Sequence, residues 1–199
     1  MNILITGGQG DLAKFLTQSL IAAGHQVAAP SRVDLNVADP SSVEGYFSGR
    51  QFDIVINAAG TLYSCLVAES DPQLWIRDIE VNLIGTYLIC RSALRANKKT
   101  KLINIASTAA FNSYKDWTSY CAAKAGVVTL SKGLHKDGYD ITVLCPGAIE
   151  TKLRDNLLID NPNVMTIAEG AEPILAAINA NSNGKLYFYR KNEQTEEQL

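Results

Sequence analysis

Short runs of consecutive apolar residues alternate along the chain with longer stretches in which apolar residues recur every three or four positions. The runs are rich in β-branched residues and predict strands, whereas the longer stretches predict helices with one apolar face. The predicted strands are Asn2–Thr6, Val27–Pro30, Phe52–Asn57, Lys101–Ala106, Ile141–Leu144 and Lys185–Tyr189, with a weaker indication at Val33–Leu35. The predicted helices are Asp11–Ala23, Asp39–Ser48, Leu74–Ala96, Ser119–His135 and Ala168–Asn179.

The order of these elements predicts the fold class. Strands alternate with helices throughout, and strands that are apolar at consecutive positions are typical of a parallel sheet covered on both faces. We therefore expect an α/β fold with a doubly wound parallel sheet and helices on both faces, formed by a single domain over residues 1–190. Residues 191–199 are polar and rich in Glu and Gln, which predicts a flexible tail. Ligands of such sheets bind beyond the carboxyl ends of the strands, where the strand order reverses.

Composition and charge narrow the range of partners. The 199 residues carry a formal net charge of -2 and form no basic stripe, so a nucleic-acid partner is not expected. No apolar run approaches the roughly twenty residues that a membrane-spanning helix needs, and the first strand begins at the N-terminus without a basic leader. The sequence thus predicts a cytoplasmic protein that does not bind membranes. The four cysteines form no CxxC pair, and no metal site is expected.

A glycine-rich turn follows the first predicted strand. It reads Thr6-Gly7-Gly8-Gln9-Gly10-Asp11-Leu12-Ala13 and leads directly into a helix. Glycines allow a tight turn and let backbone N–H groups approach a pyrophosphate, which the positive end of the helix dipole stabilises. The turn therefore predicts a dinucleotide site.

The end of the second predicted strand indicates which dinucleotide is bound. An acidic residue at this position would hold the adenosine ribose, but the strand ends in Ser31-Arg32. A hydroxyl and a guanidinium suit a 2′-phosphate, which a carboxylate would repel, so we expect NADP(H) in preference to NAD(H). Asp34 is the competing candidate, because it could hold the ribose diol if the strand continued by two residues.

A tyrosine and a lysine lie one helical turn apart in the predicted helix Ser119–His135. Tyr120 and Lys124 are four positions apart and therefore share one face of the helix. An ammonium close to a phenol favours the phenolate and shifts the pKa of the phenol from about 10 toward neutrality, which suits a general acid for a developing alkoxide. Ser107, at the end of the strand Lys101–Ala106, could donate a hydrogen bond to the same substrate oxygen.

Taken in chain order, these motifs resemble those of the short-chain dehydrogenase/reductase family over nearly the whole sequence. The matching motifs are Thr6-Gly7 to Gly10, Asn57-Ala58-Ala59-Gly60, Asn82, Ser107, Tyr120, Lys124 and Pro146-Gly147. The resemblance implies a Rossmann-like fold that binds NAD(P) without a metal and transfers a hydride between the nicotinamide and a carbonyl or alcohol.

The resemblance also implies a role for each matching residue. Tyr120 would be the catalytic acid/base and Ser107 would polarise the substrate carbonyl. Lys124 would hold the nicotinamide ribose and lower the pKa of Tyr120, while Asn82 would support a water chain that carries protons to Lys124. The implied cofactor contacts are Thr6, Gly7, Gln9, Gly10, Asp11, Leu12, Ser31, Arg32, Asp34, Leu35, Asn57, Ala58, Ala59, Gly60, Tyr120, Lys124, Pro146, Gly147, Ile149 and Thr151. Of these, Asp34-Leu35 would meet the adenine, and the last four would bracket the nicotinamide carboxamide.

Two departures from the family pattern concern the glycine turn and the substrate lid. Gly7 and Gly10 are one residue closer together than in the commonest branch of the family, and the segment between Thr151 and the last predicted helix is short, so the lid is abbreviated. The abbreviated lid motivates an alternative function, a sensor or regulatory protein that binds NADP(H) without turnover. A sugar-nucleotide epimerase or dehydratase, the third possibility, would need a larger C-terminal domain than the residues after Thr151 provide.

The substrate and the assembly are the least determined by the sequence. A small-molecule carbonyl or alcohol is expected, and three aromatic residues could either line its pocket or be core or rim aromatics: Phe111, Tyr114 and Trp117. By resemblance, copies of the chain would pair through the helices that carry Asn82 and Tyr120, as a homodimer or homotetramer.

Overall fold

The computed structural model describes residues 1–155, 157 and 161–199, which form a seven-stranded sheet with helices around it. The strands are β1 Asn2–Ile5, β2 Gln26–Ala28, β3 Ile54–Asn57, β4 Lys101–Ile105, β5 Ile141–Pro146, β6 Lys185–Arg190 and β7 Glu193–Gln198. The helices are α1 Asp11–Ala22, α2 Pro40–Phe47, α3 Pro72–Ile79, α4 Gly85–Ala96, α5 Thr118–Lys136 and α6 Ile167–Asn179. The strand order is β2-β1-β3-β4-β5-β6-β7. Strands β1 to β6 run parallel, and β7 is antiparallel to β6.

Helices cover both faces of the sheet. In β1, Ile3 and Ile5 pack into a cluster with residues of α1 and α6, whereas Leu4 packs on the opposite face with residues of α2 and α4. Successive side chains of a strand point to opposite faces, so a strand that is covered on both sides is apolar at every position. This arrangement confirms the predicted α/β fold with a doubly wound, Rossmann-like sheet.

The strand order reverses at β1, where the crevice of the fold lies. The chain runs from β1 outward to β2 and then returns to place β3 on the other side of β1. Thr6 follows β1, and its Oγ1 accepts hydrogen bonds from the N–H groups of Ala58 and Ala59, both at 3.1 Å. The carboxyl ends of β1 and β3 are thereby tied together at the position where such folds bind ligands.

The weakly indicated strand Val33–Leu35 is wrong, because these residues form a turn. The Asp34 carboxylate closes the turn by accepting hydrogen bonds from the N–H of Ser31 at 3.2 Å and from its Oγ at 2.6 Å. Val33 is 96% exposed and only Leu35 reaches the core, so the segment has no apolar face on which a strand could pack.

The expectation of a flexible tail over residues 191–199 is also wrong, since Glu193–Gln198 pairs along the whole of β6. Asn192 makes the tight connection with a φ of 63°, a conformation that asparagine tolerates better than most residues. All six side chains of β7 are exposed, and the strand is held by its backbone pairing with β6 and by a salt bridge from Glu196 to Lys185 at 2.7 Å. Such a strand has no apolar face, so no alternation of apolar and polar residues marks it in the sequence.

The predicted helix Leu74–Ala96 is three consecutive segments. It begins earlier, because Asp71 caps α3 by accepting a hydrogen bond from the N–H of Gln73 at 2.8 Å. A π-helical turn, Glu80–Ile84, joins α3 to α4.

No helix in the described part of the chain is both long and apolar enough to cross a membrane.

Candidate active site

A cavity of about 570 Å³ opens at the carboxyl edge of the sheet. The glycine turn, the segments that follow β3, β4 and β5, and helix α5 contribute to its walls. The sequence-predicted site residues that line it are Gln9, Gly10, Asp11, Leu12, Ala58, Gly60, Asn82, Ser107, Tyr120, Lys124, Pro146, Gly147, Ile149 and Thr151. Residues from six separate parts of the sequence therefore converge on one space.

The remaining predicted site residues, all of them described, lie outside the cavity walls: Thr6, Gly7, Ser31, Arg32, Asp34, Leu35, Asn57 and Ala59. Some of them support the walls from behind. Gly7 has a φ of 71°, and a Cβ there would lie 2.8 Å from Ala59 Cα, so the turn is packed against the segment that follows β3. Asn57 is buried and its Nδ2 donates to Asn104 Oδ1 at 2.8 Å. Leu35 is buried in the core beside α2 and α4.

The glycine turn ends in a helix N-terminus that can receive an anion. A Cβ on Gly8 would lie 2.1 Å from the carbonyl oxygen of Ala29, so only glycine allows the turn to lie against the end of β2. Gly10 is the N-cap of α1 and supplies no capping side chain, which leaves N–H groups of the first helical turn for a ligand. The Asp11 carboxylate accepts a hydrogen bond from the N–H of Lys152 at 2.8 Å. The residues present thus fit a pyrophosphate beside the cavity.

The opposite end of the cavity holds the hydroxyl and ammonium groups. Ser107 accepts a hydrogen bond from the N–H of Ala109 at 3.1 Å, and its side chain lines the cavity together with that of Tyr120. Lys124 donates from Nζ to the carbonyl oxygen of Ile105 at 2.9 Å, and this nitrogen lies 5.5 Å from the centroid of the Tyr120 ring. Ser107, Tyr120 and Lys124 therefore form one compact group, as the sequence predicts.

Burial dominates the proton affinities of this group. It raises the pKa of Tyr120 to about 12, an effect that the neighbouring Ser107 hydroxyl opposes in part and that negative charge at Asp78 reinforces. Burial lowers the pKa of Lys124 to about 8, against the opposing effect of Asp78. The pKa of Tyr120 thus moves away from neutrality, opposite to the sequence prediction. A spacing of four residues brings the ammonium to the same helical face but does not reveal how strongly the phenol is desolvated.

Asn82 lies in the π-helical turn and is fully buried. Its Nδ2 donates to the carbonyl oxygens of Thr61 and Asp78, both at 2.9 Å, and to Asp78 Oδ1 at 2.9 Å. Within the described residues its Oδ1 accepts no hydrogen bond, and a Cβ on Gly60 would lie 3.0 Å from this oxygen. The amide oxygen is therefore presented toward the cavity wall beside Gly60.

Several residues that sequence reasoning missed also line the cavity: Leu62, Lys152, Leu153, Arg154, Asn163 and Arg190. Arg190 lies at the carboxyl end of β6, and the rule that ligands bind at this edge could have indicated it.

The aromatic residues divide between the two roles left open by the sequence. Tyr114 and Trp117 line the cavity, whereas Phe111 packs against Phe188 with the ring centroids 5.9 Å apart.

Comparison with known proteins decides the family. The model of the short chain dehydrogenases matches residues 31–162. The chain belongs to the short chain dehydrogenase family. The match covers the segments that contain Asn82, Ser107, Tyr120 and Lys124, and it begins after the glycine turn.

This short chain dehydrogenase has relatives among curated proteins. It is 34% identical over 110 residues to an uncharacterized oxidoreductase of Staphylococcus saprophyticus, an alignment that covers 52% of the chain and 47% of the relative. It is 26% identical to the 3-oxoacyl-(acyl-carrier-protein) reductase FabG of Salmonella typhimurium, with 88% of the chain and 86% of the reductase covered. The chain spans about half the length of several curated relatives that it matches, 47%, 54% and 56% of three of them.

Among solved structures, the short chain dehydrogenase fold of this chain matches an alcohol dehydrogenase from the archaeon Thermococcus sibiricus, which is complexed with 5-hydroxy-NADP. The TM-score is 0.85, and 98% of each chain is covered. Because the sequences are only 18% identical, the likeness concerns the fold alone.

Proposed function

We propose that this short chain dehydrogenase is an NADP(H)-dependent oxidoreductase that transfers a hydride between the nicotinamide and a carbonyl or alcohol substrate. The proposal rests on one observation, the presence of Ser107, Tyr120, Lys124 and the glycine turn around a single cavity. A reductase among the relatives and an NADP derivative in the Thermococcus structure favour the same chemistry. We further infer a single nucleotide-binding domain, because all the described strands join one sheet.

The cofactor would lie across the walls of the cavity. Its pyrophosphate would meet the free N–H groups at the start of α1, Lys124 would hold the nicotinamide ribose, and the segment from Pro146 to Thr151 would hold the carboxamide. Arg32, exposed beyond the end of β2, is the candidate for the 2′-phosphate, whereas the Ser31 hydroxyl donates to Asp34. When bound, the nicotinamide supplies or accepts the hydride.

The side chains of the reactive end would handle the proton and the substrate oxygen. Since the pKa of Tyr120 is about 12, its phenol is protonated at neutral pH and can donate to a carbonyl oxygen as that oxygen becomes an alkoxide. The Ser107 hydroxyl would donate a hydrogen bond to the same oxygen and stabilise its developing charge. In the oxidation direction the phenolate form of Tyr120 would take the proton from the alcohol. Asn82 would support the water chain through which Lys124 exchanges protons.

The substrate and the assembly are inferred from the surfaces around the cavity. Leu62, Tyr114 and Trp117 give its wall an apolar part, which suits a small carbonyl compound with an apolar substituent.

Ile76 and Tyr87, 51% and 45% exposed, lie on α3 and α4 and favour pairing of copies through these helices as a dimer or tetramer. Sedimentation over a range of concentrations measures that assembly.

The proposal is tested by Tyr120→Phe. Without its proton donor the protein should lose turnover by about 10²- to 10⁴-fold, while NADPH binding stays nearly unchanged because the ring and its packing remain. NADPH oxidation is measured with a panel of aldehydes, ketones and quinones. Tyr46→Phe, a similar change at a residue of α2 that does not line the cavity, is the control and should retain activity.

Two outcomes would contradict the proposal. Activity of the Tyr120→Phe protein equal to that of the wild type would remove the tyrosine mechanism. Tight NADPH binding by the wild type without turnover of any compound in the panel would favour the sensor instead.

A further inference from the structure

Asp78 is a carboxylate buried directly behind the wall of the cavity, with 1% of its surface exposed. Three side chains donate to it. Thr61 Oγ1 and Asn82 Nδ2 donate to its Oδ1 at 2.7 Å and 2.9 Å, and Ser119 Oγ donates to its Oδ2 at 2.8 Å. A buried carboxylate is costly unless its oxygens are hydrogen-bonded, and here both oxygens are. The site is therefore built to hold an acidic group, and the proposed reaction has so far assigned it no role.

The hydrogen bonds to Asp78 fix the orientation of the Asn82 amide. Because Nδ2 is held by acceptors of Asp78 and Thr61, a flip of the amide would turn its oxygen toward the Asp78 carboxylate and replace attraction by repulsion. Oδ1 consequently faces the other way. It lies 3.0 Å from the position that a Cβ on Gly60 would take, and Lys124 Nζ lies 3.9 Å from the same position. The amide oxygen and the ammonium thus flank the space that Gly60 leaves free.

Asp78 is also placed to balance the charge of Lys124. Lys124 is buried, and the salt bridges of the described residues do not include it. Besides Asp78, the titratable groups that act on Lys124 and Tyr120 are two cysteines, Cys121 and Cys145. Burial raises the pKa values of Cys145 and Tyr120 to about 12, so both are neutral at neutral pH. The Asp78 carboxylate raises the pKa of Lys124 against the effect of burial.

We propose that Asp78 is a positioning residue that acts through Asn82 and Lys124. Its carboxylate holds the Asn82 oxygen toward the Lys124 ammonium across Gly60, and it places a negative charge behind the cavity wall that opposes the burial of that ammonium. The consequence for catalysis rests on the proposed function, whereas the charge balance with Lys124 does not.

The first test is a titration of Lys124 in Asp78→Asn. The variant keeps the size of the side chain, its oxygen can accept from Thr61 and Asn82, and its amide can donate to Ser119 Oγ, so we expect it to fold. In protein labelled with ¹³C-lysine, the NMR signal of Lys124 is assigned by its absence in Lys124→Met. Removal of the negative charge should lower the pKa of Lys124 by about one unit.

A matched control separates this effect from a general change in charge. Glu80→Gln removes the same charge from an exposed position two residues along the same helical run and should leave the pKa of Lys124 unchanged, because exposed charges are screened. Equal pKa values of Lys124 in wild type and Asp78→Asn would overturn the proposal. If Asp78→Asn is insoluble, Asp78→Ser also removes the charge, keeps a hydroxyl for the neighbouring donors, and decides the same question.

The second test is the pH profile of turnover. Loss of the negative charge lowers the pKa values of both Lys124 and Tyr120, so the profile of Asp78→Asn should shift toward acid by about one pH unit, whichever group limits the rate. A uniform loss of activity without a shift would indicate a purely structural role and overturn the proposal. Absence of turnover in the wild type would contradict the proposed function, while the Lys124 titration would still decide the role of Asp78.

Discussion

The two ends of the cavity differ in their chemistry, since backbone shapes one end and side chains form the other. At the nucleotide end, the shape comes from the backbone: Gly8 lies against the end of β2 and Gly10 leaves the first turn of α1 uncapped. At the reactive end, Ser107 follows β4, whereas Tyr120 and Lys124 come from α5. These side chains are held by burial and by hydrogen bonds. A backbone site tolerates no added atom, whereas a side-chain site depends on charges and on their solvation. Substitutions at the two ends should therefore fail in different ways.

The largest effect is expected from Gly8→Ala at the nucleotide end. Its Cβ would lie 2.1 Å from the oxygen and 2.5 Å from the carbonyl carbon of Ala29, both of them backbone atoms, so the turn must move. We expect NADPH binding to be lost and the free energy of unfolding to fall by about 1–3 kcal/mol. Calorimetric titration with NADPH and urea unfolding measure the two quantities.

Gly45→Ala is the control for this substitution. A Cβ on Gly45 in α2 would meet no atom within 4 Å, and alanine is favoured over glycine inside a helix, so binding and stability should be kept. If Gly8→Ala binds NADPH as the wild type does, the backbone account of the nucleotide end is wrong.

The next effect concerns the buried charge of the reactive end. The pKa of Lys124 is about 8 in the folded protein, compared with its ordinary value of 10.5. At a pH between these two values, Lys124 is protonated in the unfolded chain but deprotonated in the folded protein. Stability should then rise with pH across this window, by roughly 3 kcal/mol in total. Above pH 10 the raised pKa of Tyr120 acts in the opposite direction, because the unfolded chain then loses its proton first.

Urea unfolding of wild type and Lys124→Met at a series of pH values measures the contribution of Lys124. As the pH rises from 8 toward 10, the free energy of unfolding of the wild type should increase relative to that of the variant. Parallel curves for the two proteins would mean that Lys124 is not desolvated as described.

The smallest effect is expected outside the cavity, at Arg32. If Arg32 binds the 2′-phosphate, Arg32→Ala should weaken NADPH binding by about tenfold and leave NADH binding unchanged. Arg50→Ala, which removes another exposed arginine three residues after the end of α2, should affect neither cofactor. Equal losses for NADPH and NADH in Arg32→Ala would contradict the assignment of the phosphate site.

The same contrast explains what the sequence could predict. The glycine turn is a local motif, and the strands β1, β3, β4 and β5 are apolar on both faces, so spacing and periodicity indicated them. The environment of Asp78 depends on Thr61 and Ser119, which are 17 and 41 positions away, and no periodicity connects them. The strand β7 was missed because it has no apolar face. The raised pKa of Tyr120 was missed because burial is a property of the packed protein.

The π-helical turn Glu80–Ile84 has a consequence for insertions and deletions. Such a turn holds one residue more than a regular α-helix would, and each residue of an α-helix advances it by roughly 100°. Deletion of a single residue here would yield an uninterrupted helix. The buried face of α4 would then no longer be aligned with the buried face of α3. Either Leu88 and Ile89 would rotate out of the core, or Asp78 would swing away from Ser119. The extra residue therefore keeps the two helical faces in register, and a length change at this point should be tolerated less well than one at an exposed loop.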